Sequence, residues 1–279
     1  MTEATLALDF MLSGDKTILR VVRQEPPWRA LRAFSNSAGE ALIHLHNVSG
    51  GILGGDRLRL EATVRSRAQA QISAVSATRI YRSRAQASAA CQATKFCVEK
   101  DGLLEYLPDA VIPFAQSRFE QKTEIYLDEG AGLIWWETLS AGRIAGGESF
   151  AFDHVSVDTA IFAAGRAVAR ERYSLRPNST ELSCPARFGK FLYSTTMYVC
   201  RAGESTAEWM SLENELNSAG RAVSGGGVKW GASALVSDGV VIRGMAQSAG
   251  QVSEGLRMMW RIAKQSVWGR PAVSPRRIY

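Results

Sequence analysis

The feature that most restricts the fold is a two-residue alternation of apolar and polar side chains, repeated in short segments from residue 40 to about 198. Leu58, Leu60, Ala62 and Val64 fall on one side of one such segment. Arg57, Arg59, Glu61, Thr63 and Arg65 fall on the other. Side chains of an extended chain point alternately to its two faces, so this spacing predicts half-buried β-strands. Residues 43–48, 119–127, 133–139 and 155–162 repeat the pattern. Lys100-Asp101-Gly102, Asp128-Glu129-Gly130, Gly146-Gly147 and Ala164-Gly165 separate the runs as turns. No helical stretch of roughly 10–15 residues intervenes, which argues against a parallel α/β sheet.

Two helices are expected near the end. Ser205-Thr206-Ala207-Glu208 fits a capping box, in which hydroxyl and carboxylate satisfy free amide donors. Trp209, Leu212 and Leu216 then recur on one face, and Gly220 is placed to stop the helix. A second helix begins near residues 248–250 and carries Val252, Leu256, Met259 and Ala263 at helical spacing. Between them lie a glycine turn at 225–227 and a hairpin through Asp238-Gly239. With no linker and no long repeat, residues 1–279 read as one mainly β domain.

Composition narrows the chemistry. Three His and four Cys in 279 residues, with no CxxC spacing among Cys91, Cys97, Cys184 and Cys200, are few for a zinc enzyme or a disulfide scaffold. The first sixteen residues carry Glu3, Asp9 and Asp15 and lack the basic-then-apolar order of a secretion signal. No apolar run approaches the ~18 residues of a membrane span. A soluble, cytoplasmic protein with reduced thiols is expected. The formal charge of +6, with Arg far outnumbering Lys, favours acidic partners.

The densest motif is Gly50-Gly51-Ile52-Leu53-Gly54-Gly55-Asp56. It is not a phosphate loop, because strand periodicity, and no helix, follows it. It reads as a structural loop presenting Asp56. His44 and His46 share a strand face, more often a polar face than a metal site. Arg79, Arg82 and Arg84 around Tyr81 form a basic group, read chiefly as the end of a strand that meets an acidic protein and otherwise as a nucleic-acid contact. Glu137 and Glu171 stand inside otherwise apolar strands. Either they face solvent, or they line a polar passage where carboxylates briefly hold a divalent cation.

In this setting the string Asn47-Val48-Ser49 running through the glycine motif to Asp56 resembles the signature of UreD-type urease accessory proteins, also called the H type. Five further blocks resemble that family in order and spacing: residues 77–83, 104–109, 135–143, 147–150 and 171–173. The ending, residues 270–279, is similar too. Ile144, where many members have proline, departs from the pattern. The resemblance implies a mainly β fold of stacked sheets with a helical course, plus two helices. It implies a non-catalytic protein that binds apo-urease and, with UreF and UreG, enables nickel insertion into urease. No tightly bound cofactor or stable metal site is expected, with nickel only in transit. By position, the resemblance marks Asp56, Thr78, Glu137 and Glu171 as passage residues. Arg79, Tyr81 and Arg82 remain candidates for a partner interface, and neither nucleic acid nor a membrane is expected as a partner. Two readings compete. One is a hydrolase using Asp56, Glu137 and His44 in a common cleft. The other is a nucleic-acid-binding β protein working through Arg79, Arg82 and Arg84.

Overall fold

The computed structural model describes residues 1–36, 38–84 and 86–274. Strands β1 (Glu3–Ser13) and β2 (Lys16–Gln24) form an antiparallel N-terminal hairpin, which the sequence pattern did not announce. Then follow β3 (Trp28–Ala30), β4 (Phe34–Ser35), β5 (Ala41–Asn47), β6 (Arg57–Val64), β7 (Gln69–Ala74) and β8 (Thr78–Ile80). The central course continues with β9 (Ala90–Val98), β10 (Leu103–Leu107), β11 (Val111–Pro113), β12 (Arg118–Leu127) and β13 (Gly132–Ser140). It ends with β14 (His154–Ala163), β15 (Arg166–Leu175) and β16 (Tyr193–Arg201). Helix α1 (Thr206–Val223), the hairpin β17 (Val228–Ala234) and β18 (Gly239–Ala246), and helix α2 (Ala249–Trp268) complete the fold.

The strands make two stacked sheets. The first has the order β15-β14-β12-β9-β6-β1-β2. The second runs β17-β18-β16-β13-β10-β7-β5-β3, with β4, β8 and β11 at its margin. From β5 to β14 the chain passes back and forth between them, so β6, β9, β12 and β14 pair in parallel in one sheet. Strands β5, β7, β10 and β13 do the same in the other. Parallel neighbours need a long crossover, usually a helix. Here each crossover is a strand of the opposite sheet. The absence of helical periodicity therefore excluded helical crossovers, not parallel pairing. The course is helical in the sense the family resemblance implied, and the fold is mainly β.

Alternation decides what each face buries. Leu58, Leu60, Phe96, Phe119 and Ile161 meet Ile43, Ile72, Leu133 and Trp135 between the sheets. The opposite face of the second sheet presents Ile134, Met197, Val199 and Ile242 to Trp209, Leu216, Met259 and Trp260 of the two helices. Burying one such side chain contributes about 1.5–3 kcal/mol. Both helices begin with a capping box, at Ser205 and Ser248. One expectation needs correction: α1 does not stop at Gly220 but runs on to Val223. Gly220 serves packing instead, since a Cβ there would lie 3.1 Å from Cβ of Trp230.

Helix α2 is also held by charge. Lys264, fully buried, places Nζ 3.0 Å from Glu40 and 2.6 Å from Glu105. The Trp260 indole N–H donates to the other oxygen of Glu105. No helix among the described residues is long and apolar enough to cross a membrane. Of the C-terminal segment read by resemblance, residues 275–279 lie outside the described residues.

Candidate functional site

In β13 the row facing between the sheets is Leu133, Trp135, Glu137 and Leu139, three apolar residues and one carboxylate. In β15 the inward row is Ala169, Glu171, Tyr173 and Leu175, with the same interruption. Arg170 and Arg172 point outward and pair with Asp158 at 3.1 and 2.7 Å. Both carboxylates line one cavity of about 190 Å³ between the sheets, with Gln121, Tyr173, Thr196 and Arg243. Two residues named from sequence alone are thus brought together by strands from different sheets.

Gln121 Nε2 donates to Glu137 (2.8 Å), and the Tyr198 hydroxyl donates to Glu171 (2.6 Å). Arg243 approaches Glu171 at 3.5 Å, but its side chain is more than half exposed. Such a pair is weak against solvent screening. Burial, reinforced by the negative charge of Glu171, pushes the Glu137 carboxyl up to about 8; the Gln121 contact opposes this only in part. Burial and Glu171 likewise push the Tyr198 hydroxyl well above its ordinary range, so it stays a donor at neutral pH. Glu137 at pH 7 therefore carries a proton that a bound cation would displace.

A second, larger cavity of about 900 Å³ lies on the helix side of the second sheet. His44, Ser73, Trp136, Glu254, Arg257 and Trp260 contribute to its lining. Thr138 lines both cavities and so forms part of the wall between them. Its hydroxyl donates to Thr195 Oγ1 at 2.9 Å, and Thr195 Oγ1 donates in turn to the Glu137 carbonyl at 2.7 Å. His44 Nδ1 is 2.7 Å from Ser73 Oγ, and burial lowers the imidazole pKa.

Other residues singled out from sequence lie elsewhere. Asp56 is buried at the mouth of β6, where its carboxylate accepts from the amides of Thr2 (2.7 Å) and Leu53 (3.1 Å). It lines neither cavity. Thr78 sits on β8, one strand away from the smaller cavity: it pairs with Val111 of β11, which does line it. The hydrolase trio does not assemble, since Asp56 is tied into a loop and Glu137 and His44 occupy different cavities. His46 lies opposite Arg29, and His154 is 3.0 Å from Ser174 on the outer face of the first sheet. The glycine loop packs on the Arg79–Ser83 stretch: Ile52 N–H donates to the Arg79 carbonyl and Tyr81 N–H to the Ile52 carbonyl. A Cβ on Gly51 would sit 2.6 Å from that Arg79 oxygen, so only glycine permits this approach.

Sequence reasoning missed a line of hydroxyls. Thr94, Thr123 and Thr159 are cross-strand neighbours on the inward face of the first sheet, all buried, and Thr159 pairs with Glu171. The Thr159 hydroxyl has no partner among the described residues. Each threonine is unremarkable in its own strand, and only the parallel register aligns them.

A two-sheet β scaffold whose interior cavity gathers carboxylates, hydroxyls and an amide fits the class of binding and assembly proteins. Comparison with known sequences gives the family. The family described as UreD urease accessory protein matches residues 2–278. The chain is 40% identical over 275 residues to the urease accessory protein UreD of Herpetosiphon aurantiacus, covering 98% of this chain and 96% of the relative. It is 32% identical over 281 residues to that of Dechloromonas aromatica, covering 98% and 93%. It is also 33% identical over 153 residues to that of Cenarchaeum symbiosum, about half of each chain. The chain belongs to the UreD family of urease accessory proteins, a family of non-catalytic maturation factors.

Proposed function

We propose that this protein is a cytoplasmic scaffold that binds apo-urease and, together with UreF and UreG, delivers nickel to the urease active site through its own interior. The observation that carries this reading is the cavity in which Glu137 and Glu171 meet between the sheets, walled from the larger cavity by Thr138. Nickel is a borderline cation that clustered imidazole or thiolate would hold tightly. Two carboxylates with a glutamine amide and tyrosine and threonine hydroxyls offer hard, sparse oxygen donors, suited to brief contact. In this reading Glu137 exchanges its proton for the passing cation, and Glu171 supplies the second charge. Arg243 and Tyr198 hold Glu171 toward the cavity. The threonine line that ends at Glu171 supplies further neutral oxygens. Asp56 acts on the same pathway only indirectly, by fixing the loop at the mouth of β6.

The test is to obstruct the wall without touching the carboxylates. Thr138→Phe, in cells making urease and all accessory proteins, is expected to co-purify with urease as the wild type does while urease activity falls several-fold. Full activity with a Thr138→Phe protein whose melting shows it folded would remove the passage. Loss of co-purification in the wild type itself would remove the scaffold.

A further inference from the structure

The two cavities differ in what they offer a cation. Every side chain of the smaller one that can ligate does so through oxygen: the carboxylates of Glu137 and Glu171, the Gln121 amide and the hydroxyls of Thr138, Tyr173 and Thr196. Such a set accepts magnesium as readily as nickel, and availability then decides which cation enters. The larger cavity holds the exception. Among the described residues His44 is the only one lining either cavity whose side chain offers an imidazole, a thiolate or a thioether.

The surroundings of His44 prepare it as a donor. It stands on the helix-facing side of β5, paired with Ser73 of β7, which pairs in turn with Leu107 of β10. Only 5% of the residue is exposed. The Ser73 hydroxyl donates to the Ile43 carbonyl (3.3 Å), so its oxygen accepts the Nδ1–H of His44 at 2.7 Å. Assigned from that network, the ring keeps its lone pair on Nε2, and no described residue pairs with that nitrogen. A ligating histidine typically gives its other ring N–H to an acceptor of this kind, which fixes the tautomer and aims the ring. Burial lowers the imidazole pKa, so the ring is neutral at pH 7. The other two histidines lack this setting. His46 lies opposite Arg29, His154 spends Nε2 on Ser174, and neither lines a cavity.

We infer that His44 is the metal-selecting ligand of the interior passage: Nε2 takes nickel in the larger cavity, ahead of magnesium, before the cation crosses the wall at Thr138 to Glu137 and Glu171. This inference rests on the passage reading proposed above. The exchange replaces one metal-bound water by Nε2 and moves no proton, because that nitrogen carries none. Imidazole suits a borderline cation, whereas magnesium keeps to oxygen. Among the described residues no three metal-binding side chains gather into a cage, so water completes the shell and the cation is selected without being trapped.

The test follows the imidazole signals of purified full-length protein, nitrogen-labelled at histidine, by NMR during a nickel titration in excess magnesium. Nickel is paramagnetic, and the ring that it ligates broadens first. His44 is expected to broaden before His46 and His154, with magnesium unable to reverse it. Ser73→Ala, which removes the Nδ1–H acceptor and leaves the imidazole, should weaken this site at least about tenfold. In cells making urease and all accessory proteins, urease matured with His44→Gln, folded by melting, should carry several-fold less nickel in nickel-poor medium and recover in nickel-rich medium. The Glu137→Gln/Glu171→Gln protein should not recover. Broadening of His46 or His154 ahead of His44 would overturn the assignment, as would wild-type nickel content from His44→Gln in nickel-poor medium. Wild-type nickel content from the doubly substituted carboxylate protein would instead overturn the passage reading beneath it.

Discussion

Glu40 and Glu105 on the helix side of the second sheet share the ammonium of Lys264, which is completely buried between them. Glu137 and Glu171 between the sheets share a cavity instead, with a mostly exposed Arg243 touching only one of them. The two pairs have the same chemistry and opposite completions. In the first, the protein supplies its own cation, and the result is a fastener that ties α2 to the residue leading into β5 and to β10. In the second, the charge is left uncompensated, so Glu137 holds a proton into the neutral range and space remains beside it. An acidic pair that the chain fills is structural, and one that it leaves open is, in the function proposed above, where a foreign cation is received.

The largest effect should come from breaking the filled pair. Lys264→Met leaves two buried carboxylates without a cation and should cost about 3–5 kcal/mol in urea unfolding. Adding Glu105→Gln should return part of that loss, and no recovery would mean that Lys264 acts by packing alone.

The open pair predicts the reverse sign. The folded chain keeps the Glu137 proton between about pH 4.5 and about pH 8, where the unfolded chain releases it, so wild-type stability falls as pH rises through this window. Glu137→Gln should therefore be more stable than wild type at pH 8, by on the order of 2–4 kcal/mol, and equal to it near pH 4. Parallel pH profiles for the two proteins would show Glu137 to be fully solvated. Asp56→Ala should cost about 1–2 kcal/mol, because two amides lose their acceptor. Its effect on urease maturation should follow that instability, whereas a Glu137 variant should impair maturation without it. Smallest of all, Arg170→Ala on the outer face should change stability by no more than about 0.5 kcal/mol in the same unfolding measurement.

The open pair was legible in the sequence, and the filled one was not. Glu137 and Glu171 interrupt otherwise apolar strands, a local signal that singled them out while leaving open whether they face solvent or the interior. Glu105 also interrupts such a strand, but its partner Lys264 lies 159 residues away on a helix, beyond any local pattern. The capping box at Ser205, the helix start near Ser248 and the turn at Asp238-Gly239 were readable because their chemistry lies within four residues. The parallel pairing, the threonine line and the shared wall at Thr138 depend on register between strands about 30 residues apart, which periodicity does not encode. Asp56 was misleading for a related reason. Its position after the glycines suggested a presented carboxylate, while the amide of Thr2, brought in by the N-terminal hairpin, turned it inward.

The most direct measurement is the nickel content per active site of urease matured with the Glu137→Gln/Glu171→Gln protein, beside the wild type, after confirming that both co-purify with urease. Cation transit through the open pair predicts urease that is assembled but largely free of nickel and correspondingly inactive. Urease with wild-type nickel content and activity from the doubly substituted protein would contradict it.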